Sequence, residues 1–164
     1  MSRVYTMTDR SNLTHGDLID RALRWLVGTG GCHIAAAEVD AGREIVDAMG
    51  WSTRFSIQIE CKTSKADFRR GRKEKFSRIM EDTGHRDYGV GNYRYYMAPA
   101  GVIPLDEVPF RWGLLEVRGN RVWRKKSAGL GWKGEGLENR ERAMLVRIVT
   151  RKFGYKCVCD RTPP

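Results

Sequence analysis

The chain lacks any long apolar run: nothing in its 164 residues approaches the ~20 consecutive apolar residues of a membrane-spanning helix, so no membrane partner is expected. Cysteine is scarce. Cys32, Cys61, Cys157 and Cys159 fit neither the paired Cys-x-x-Cys of a zinc ribbon nor a dense disulfide framework. Cys157 and Cys159 would share a face if they lie on a strand, where they could join His33 or His85 in a soft metal site; as free buried thiols they need no partner. The first residues, Met1–Asn12, lack the apolar core of a secretory segment, which makes the cytoplasm the expected compartment. No internal repeat is apparent. The last shortage is acid. Twenty Asp and Glu stand against thirty Lys and Arg, for a net charge of +10, and a polyanion, nucleic acid first, is the expected partner.

What is present suits a single domain over 1–164, with a core at about 14–126 and a C-terminal helix at about 137–151. Hydrophobic residues make up 41% of the chain, enough for a packed interior rather than a disordered chain. Thr14-His15-Gly16-Asp17 is a capping box ahead of Leu18, Ile19, Ala22, Leu23 and Leu26 at helical spacing, so a first helix is expected up to the glycines at 28–31. Strands are expected at Cys32–Val39, Gly42–Gly50, Arg54–Thr63, Tyr93–Ala98, Trp112–Val117 and Arg121–Lys126. A second capping pattern at Ser64-Lys65-Ala66-Asp67 predicts a helix to about Glu81, bent or started late at Gly71.

The third strand carries the chemistry. In Ile57-Gln58-Ile59-Glu60-Cys61-Lys62 the alternation of a strand puts Gln58, Glu60 and Lys62 on one face. The preceding strand and a short turn make a hairpin that can bring Asp47 beside Glu60, although Glu44 and Asp40 compete as the upstream acid. Two carboxylates can hold a hard divalent cation, and a lysine beside them can orient a water or offset charge on a phosphate. Glu38 is a further acid within reach, and Gln58 can bond a water or the substrate. Directly downstream, Lys65, Arg69, Arg70, Arg72 and Lys73 cluster on the capped helix, whose start at Ser64 has free N–H groups suited to a phosphate. Trp51, Tyr93, Tyr95 and Tyr96 could stack on bases but equally suit a core.

Asp47, twelve intervening residues, then Glu60-Cys61-Lys62, with the blocks Glu60–Phe68, Tyr95–Gly101 and Trp112–Val117 following in order, resemble the PD-(D/E)XK nuclease superfamily. The likeness is to small bacterial and phage nuclease-like proteins associated with DNA repair. It covers roughly Ala36–Lys126, with Val46 where the superfamily's motif has proline. The resemblance implies an α/β fold with a restriction-endonuclease-like core, a central mixed sheet flanked by helices. It implies a Mg²⁺- or Mn²⁺-dependent deoxyribonuclease of DNA repair, recombination or phage DNA processing, in a bacterial or phage-infected cell and possible as a homodimer. Asp47, Glu60 and the Cys61 carbonyl, with Glu38 as a further candidate, would hold the metal, and Lys62 would complete the catalytic set. Gln58, Ser64, Lys65, Arg69, Arg70, Arg72 and Lys73 would meet DNA. A non-catalytic nucleic-acid-binding protein that keeps the fold is the alternative.

Overall fold

The structure is a computed structural model that describes residues 13–42, 44–72, 89–131 and 135–153. Helix α1, His15–Val27, starts where the capping box predicts. The Asp17 amide donates to Thr14 Oγ1 at 3.1 Å, and the Thr14 amide donates back to Asp17 Oδ2 at 2.8 Å. The Thr14 hydroxyl, which donates to Asp17 Oδ2 at 2.7 Å, and then the Thr14 amide hold the Asp17 carboxyl below its usual range. Leu18, Ile19, Ala22, Trp25 and Leu26 form the buried stripe.

Six strands follow: β1 Ile34–Asp40, β2 Ile45–Trp51, β3 Ser56–Cys61, β4 Tyr93–Pro99, β5 Trp112–Arg118 and β6 Arg121–Lys126. They lie side by side in chain order in one sheet. The β1–β2, β2–β3 and β5–β6 pairs are antiparallel, while β3–β4 and β4–β5 are parallel. A parallel pair needs a crossover. Between β3 and β4 the chain includes α2, helical over the described residues 65–72, and between β4 and β5 lies a 3-10 turn at Leu105–Glu107. Helix α3, Glu135–Phe153, closes the described chain. The fold is therefore α/β, a mixed sheet flanked by helices, as expected.

Differences from the expected strand limits have local causes. Cys32 is used by the turn out of α1, its amide bonding to Leu26 O at 2.9 Å, so β1 begins at Ile34. Asp40 Oδ1 accepts from the Gly42 amide at 2.6 Å, with Gly42 at φ +90°, and this turn delays β2 to Ile45. Ser52 Oγ accepts from the Arg54 and Phe55 amides, which removes both residues from β3. The part of the expected second helix beyond residue 72 lies outside the described residues, as do Lys73, His85, Cys157 and Cys159.

Two apolar layers sandwich the sheet. On one face Ile57, Ile59 and Cys61 of β3 join Tyr95, Met97, Leu115 and Val117 under α1. On the other, Phe68 of α2 packs on Tyr96, Ala98 and Leu114, and Leu137 and Met144 of α3 pack on Val39, Val46, Met49 and Trp51. Burying large apolar side chains at roughly 1.5–3 kcal/mol each drives this assembly. Buried Ser56, Gln58, Glu60, Arg94 and Glu116 share the second face by the period of two.

Candidate functional site

The register Ala48↔Ile59 places Asp47 opposite Glu60, the pairing on which the sequence argument depended. Described backbone pairing of β2 with β3 ends at Ala48↔Ile59, one step short of those two residues. Lys62 donates its amide to Met97 O of β4 at 2.9 Å, so alternation turns the Cys61 N–H and C=O the other way, toward β2. The Cys61 N–H is taken by the Asp47 side chain, at 2.7 Å from Oδ2. A carboxylate of β2 is thereby fixed at the Glu60–Cys61 peptide.

Asp47 reaches that peptide because the β1–β2 ribbon changes face beside it. Residues two apart on a strand should share a face. Ala48 and Ala37 pack under α1, yet Val46 and Val39 pack under α3. The break falls at Asp47 and its neighbour across the ribbon, Glu38, which holds φ +50°, a conformation a non-glycine residue rarely adopts. Freed from the regular alternation, Asp47 also comes within 3.3 Å of His15 Nε2 at the first turn of α1. Sequence reading used His15 only as a spacer in the capping box. Its one available signal was position, since a residue at a helix start can face a strand end.

Glu60 lies on the α2/α3 face, 5% exposed, and its Oε1 accepts from Gln58 Nε2 at 2.8 Å. Gln58 Oε1 is buried with no hydrogen-bond partner among the described residues. Such an orphaned oxygen asks for a proton donor or a cation. Lys62, on the same side as Glu60, extends its ammonium toward α2, where a Cβ added at Gly71 would stand 3.1 Å from Nζ. The glycine that weakens α2 as a helix therefore makes room for the lysine. Cys61 is fully buried, and burial pushes its thiol far up, with the Asp47 and Glu60 charges adding to the effect. It is inert as a nucleophile.

The donor types suit a hard divalent cation: the Asp47 carboxylate at the Cys61 peptide, the Glu60 carboxylate on the α2/α3 face, and beside Glu60 the Gln58 amide oxygen with no partner among the described residues. Among the described residues, no group of three or more His, Cys, Asp and Glu side chains is gathered to hold a metal. Glu38, exposed at its kink, is not brought in as a third acid, and Glu44 and Asp40 lie at the far turn of the β1–β2 hairpin.

The basic helix is more occupied than its sequence suggests. Ser64 caps α2, accepting from the Asp67 amide at 3.2 Å. Arg69 grips Glu107 of the 3-10 turn with two hydrogen bonds, Lys65 lies 3.6 Å from the same carboxylate, and Arg72 donates to the Glu107 carbonyl at 2.9 Å. The Arg69 bonds, more than the charges of Lys65 and Arg72, hold the Glu107 carboxyl down at about 2. Arg70 pairs with Asp67 at 3.2 Å.

The candidate stacking residues belong to the interior. Trp51 and Tyr95 are buried, and Tyr96 stacks on Trp112 at 4.5 Å and meets Phe68 edge-on. A cleft of about 300 Å³ lies at the opposite end of β3, beside Trp51, Arg54 and Glu141. There Glu141 of α3 accepts from Ser56 Oγ at 2.7 Å and from the Gly91 amide at 3.0 Å. Burial nevertheless raises its carboxyl above the usual range.

No protein-family model and no curated protein matches the chain. Among solved structures it is similar to a protein of unknown function from Silicibacter pomeroyi, with a TM-score of 0.58 and 17% identity over 92% of this chain and 99% of that one. That likeness extends to the fold.

Proposed function

We propose that the protein is a metal-dependent deoxyribonuclease of PD-(D/E)XK type that hydrolyses DNA phosphodiester bonds with Mg²⁺ or Mn²⁺. The observation that carries this reading is the Asp47 carboxylate seated on the Cys61 amide, opposite Glu60 and one residue from Lys62. A bound Mg²⁺ supplies a water of lowered pKa and a Lewis acid for the phosphate. Asp47, Glu60 and the Cys61 carbonyl would hold it. Gln58 fixes the Glu60 carboxylate and offers its second amide atom to a water. Lys62 offsets the charge that grows on the phosphate during attack. The start of α2, capped by Ser64, follows directly on β3 and suits a neighbouring phosphate.

A second reading, a nucleic-acid-binding protein that keeps this fold without cutting, draws on the absence of a third ligand-type side chain among the described residues. Incubation of supercoiled DNA with the protein separates the two. The first reading expects nicking with Mg²⁺ or Mn²⁺, its loss in EDTA, and a fall of about 100-fold or more in Glu60→Gln with the fold retained by circular dichroism. Persistent binding without nicking in either metal would replace it with the second.

A further inference from the structure

The β6 edge is a surface that the proposed reaction does not use. Its sequence, Arg121-Val122-Trp123-Arg124-Lys125-Lys126, contains four cations and no acid. Only Val122 packs into the core, on the α1 side. Charged residues on an edge strand have an ordinary use, to keep other strands from pairing there. Trp123 does not fit that use. It is 52% exposed, and an exposed aromatic on an open edge invites pairing rather than opposing it.

Its neighbours extend the same chemistry. Lys126 donates to the carbonyls of Val108 and Pro109, which ties the end of β6 to the loop that presents Phe110, 86% exposed. The Arg111 guanidinium lies over the Phe110 ring at 5.3 Å. Arg121, Arg124 and Lys125 make no ion pair among the described residues, and the acid across from Trp123, Glu116, is buried and occupied by Arg118 at 2.9 Å and the Gly101 amide at 3.1 Å. Exposed rings set among unpaired cations are what a strand of unpaired bases needs: faces to stack on and charges for its phosphates.

The register places Arg121, Trp123 and Lys126 on the proposed site's face, while Val122 and Arg124 lie across from the α1-side residues Val117 and Leu115. Glu60 pairs with Tyr96, Tyr96 with Leu114, and Leu114 with Lys126, so these four residues form one row on one face. Ala98, Glu116 and Trp123 form the next row, level with Lys62. Three strand spacings, about 14 Å, separate Trp123 from the Lys62 position. We propose that β6, with Trp123 as its stacking residue and the Phe110–Arg111 loop beside it, binds single-stranded nucleic acid.

The inference rests on the nuclease reading only for the choice of partner, and its test needs no cleavage. With EDTA present, oligothymidylate titrated into the protein should quench tryptophan fluorescence, with an affinity that falls steeply with salt. Trp123→Ala should remove the quench and weaken binding about tenfold, and Arg121→Glu/Lys125→Glu should flatten the salt dependence. Equal affinity and equal quench in Trp123→Ala would overturn the proposal. So would competition by base-free polyphosphate or by anionic phospholipid vesicles as effective as that of the oligonucleotide. Absence of cleavage in a separate assay bears on the nuclease reading alone, and absence of quench bears on β6 alone.

Discussion

At the scale of residues, Lys62 and Gly71 form one device. A glycine inside a helix costs roughly 1 kcal/mol relative to alanine, and from sequence this one looks like a weak point of α2. In the structure a methyl group there would stand 3.1 Å from the Lys62 ammonium. Gly71→Ala should therefore raise stability by up to about 1 kcal/mol while slowing metal-dependent cleavage severalfold, because displaced catalytic groups lose rate steeply. Denaturant midpoints and cleavage rates on the same preparation check both halves. Unchanged cleavage would mean that Lys62 does not act from this position. The alternation that puts Gln58, Glu60 and Lys62 on one side was legible in the sequence, because it depends only on the strand's period. The Asp47 contact with His15 was not, since it follows from a change of face in β1 and β2 that no local pattern announces.

At the scale of elements, partners distant in the chain decide what the charges do. Sequence shows α2 as a dense basic surface, whereas three of its cations converge on Glu107, at least 35 residues away. Removing that anion in Glu107→Ala should free Lys65 and Arg69 and tighten the salt-sensitive binding of DNA severalfold, as read by titration at two ionic strengths. Weaker binding would show that the 3-10 turn positions these cations for DNA rather than competing for them.

Glu141 links α3 to the start of β3, and its raised carboxyl gives the link a pH dependence. A carboxyl whose folded pKa lies above its unfolded value keeps its proton longer in the folded state, so stability falls as pH rises through that interval and recovers below it. Glu141→Gln keeps an oxygen for Ser56 and Gly91 without the charge. As pH rises above the usual carboxyl range, its stability relative to wild type should rise, as measured by chemical denaturation. A difference independent of pH would contradict the burial argument. The capping box of α1, the Ser64 cap of α2 and the six strands were legible because they rest on neighbours in sequence. The 3-10 turn that anchors α2 was not, because its worth lies in long-range ion pairs.

At the scale of the whole molecule, the net charge of +10 gives the chain a field for polyanions, and the sheet arranges what would receive one. The proposed site stands at the carboxyl end of β3, and β6 carries an aromatic and basic edge on the same face. No described helix is long and apolar enough to cross a membrane. Composition made the net positive charge legible, the strand pattern made the six strands legible, and the mixed sheet followed only from the family resemblance. Cross-strand rows needed the structure, because a one-residue slip would have turned Trp123 to the other face. The central claim is that Asp47, Glu60 and Lys62 work together on DNA with a divalent metal. Cleavage of single-stranded, duplex and branched DNA by wild type and Lys62→Ala, each with Mg²⁺, Mn²⁺ or EDTA, tests it most directly. The account predicts metal-dependent cleavage of at least one substrate by wild type and a loss of about 100-fold or more in Lys62→Ala with binding retained; wild-type protein that binds these DNAs and cuts none of them in either metal would contradict it.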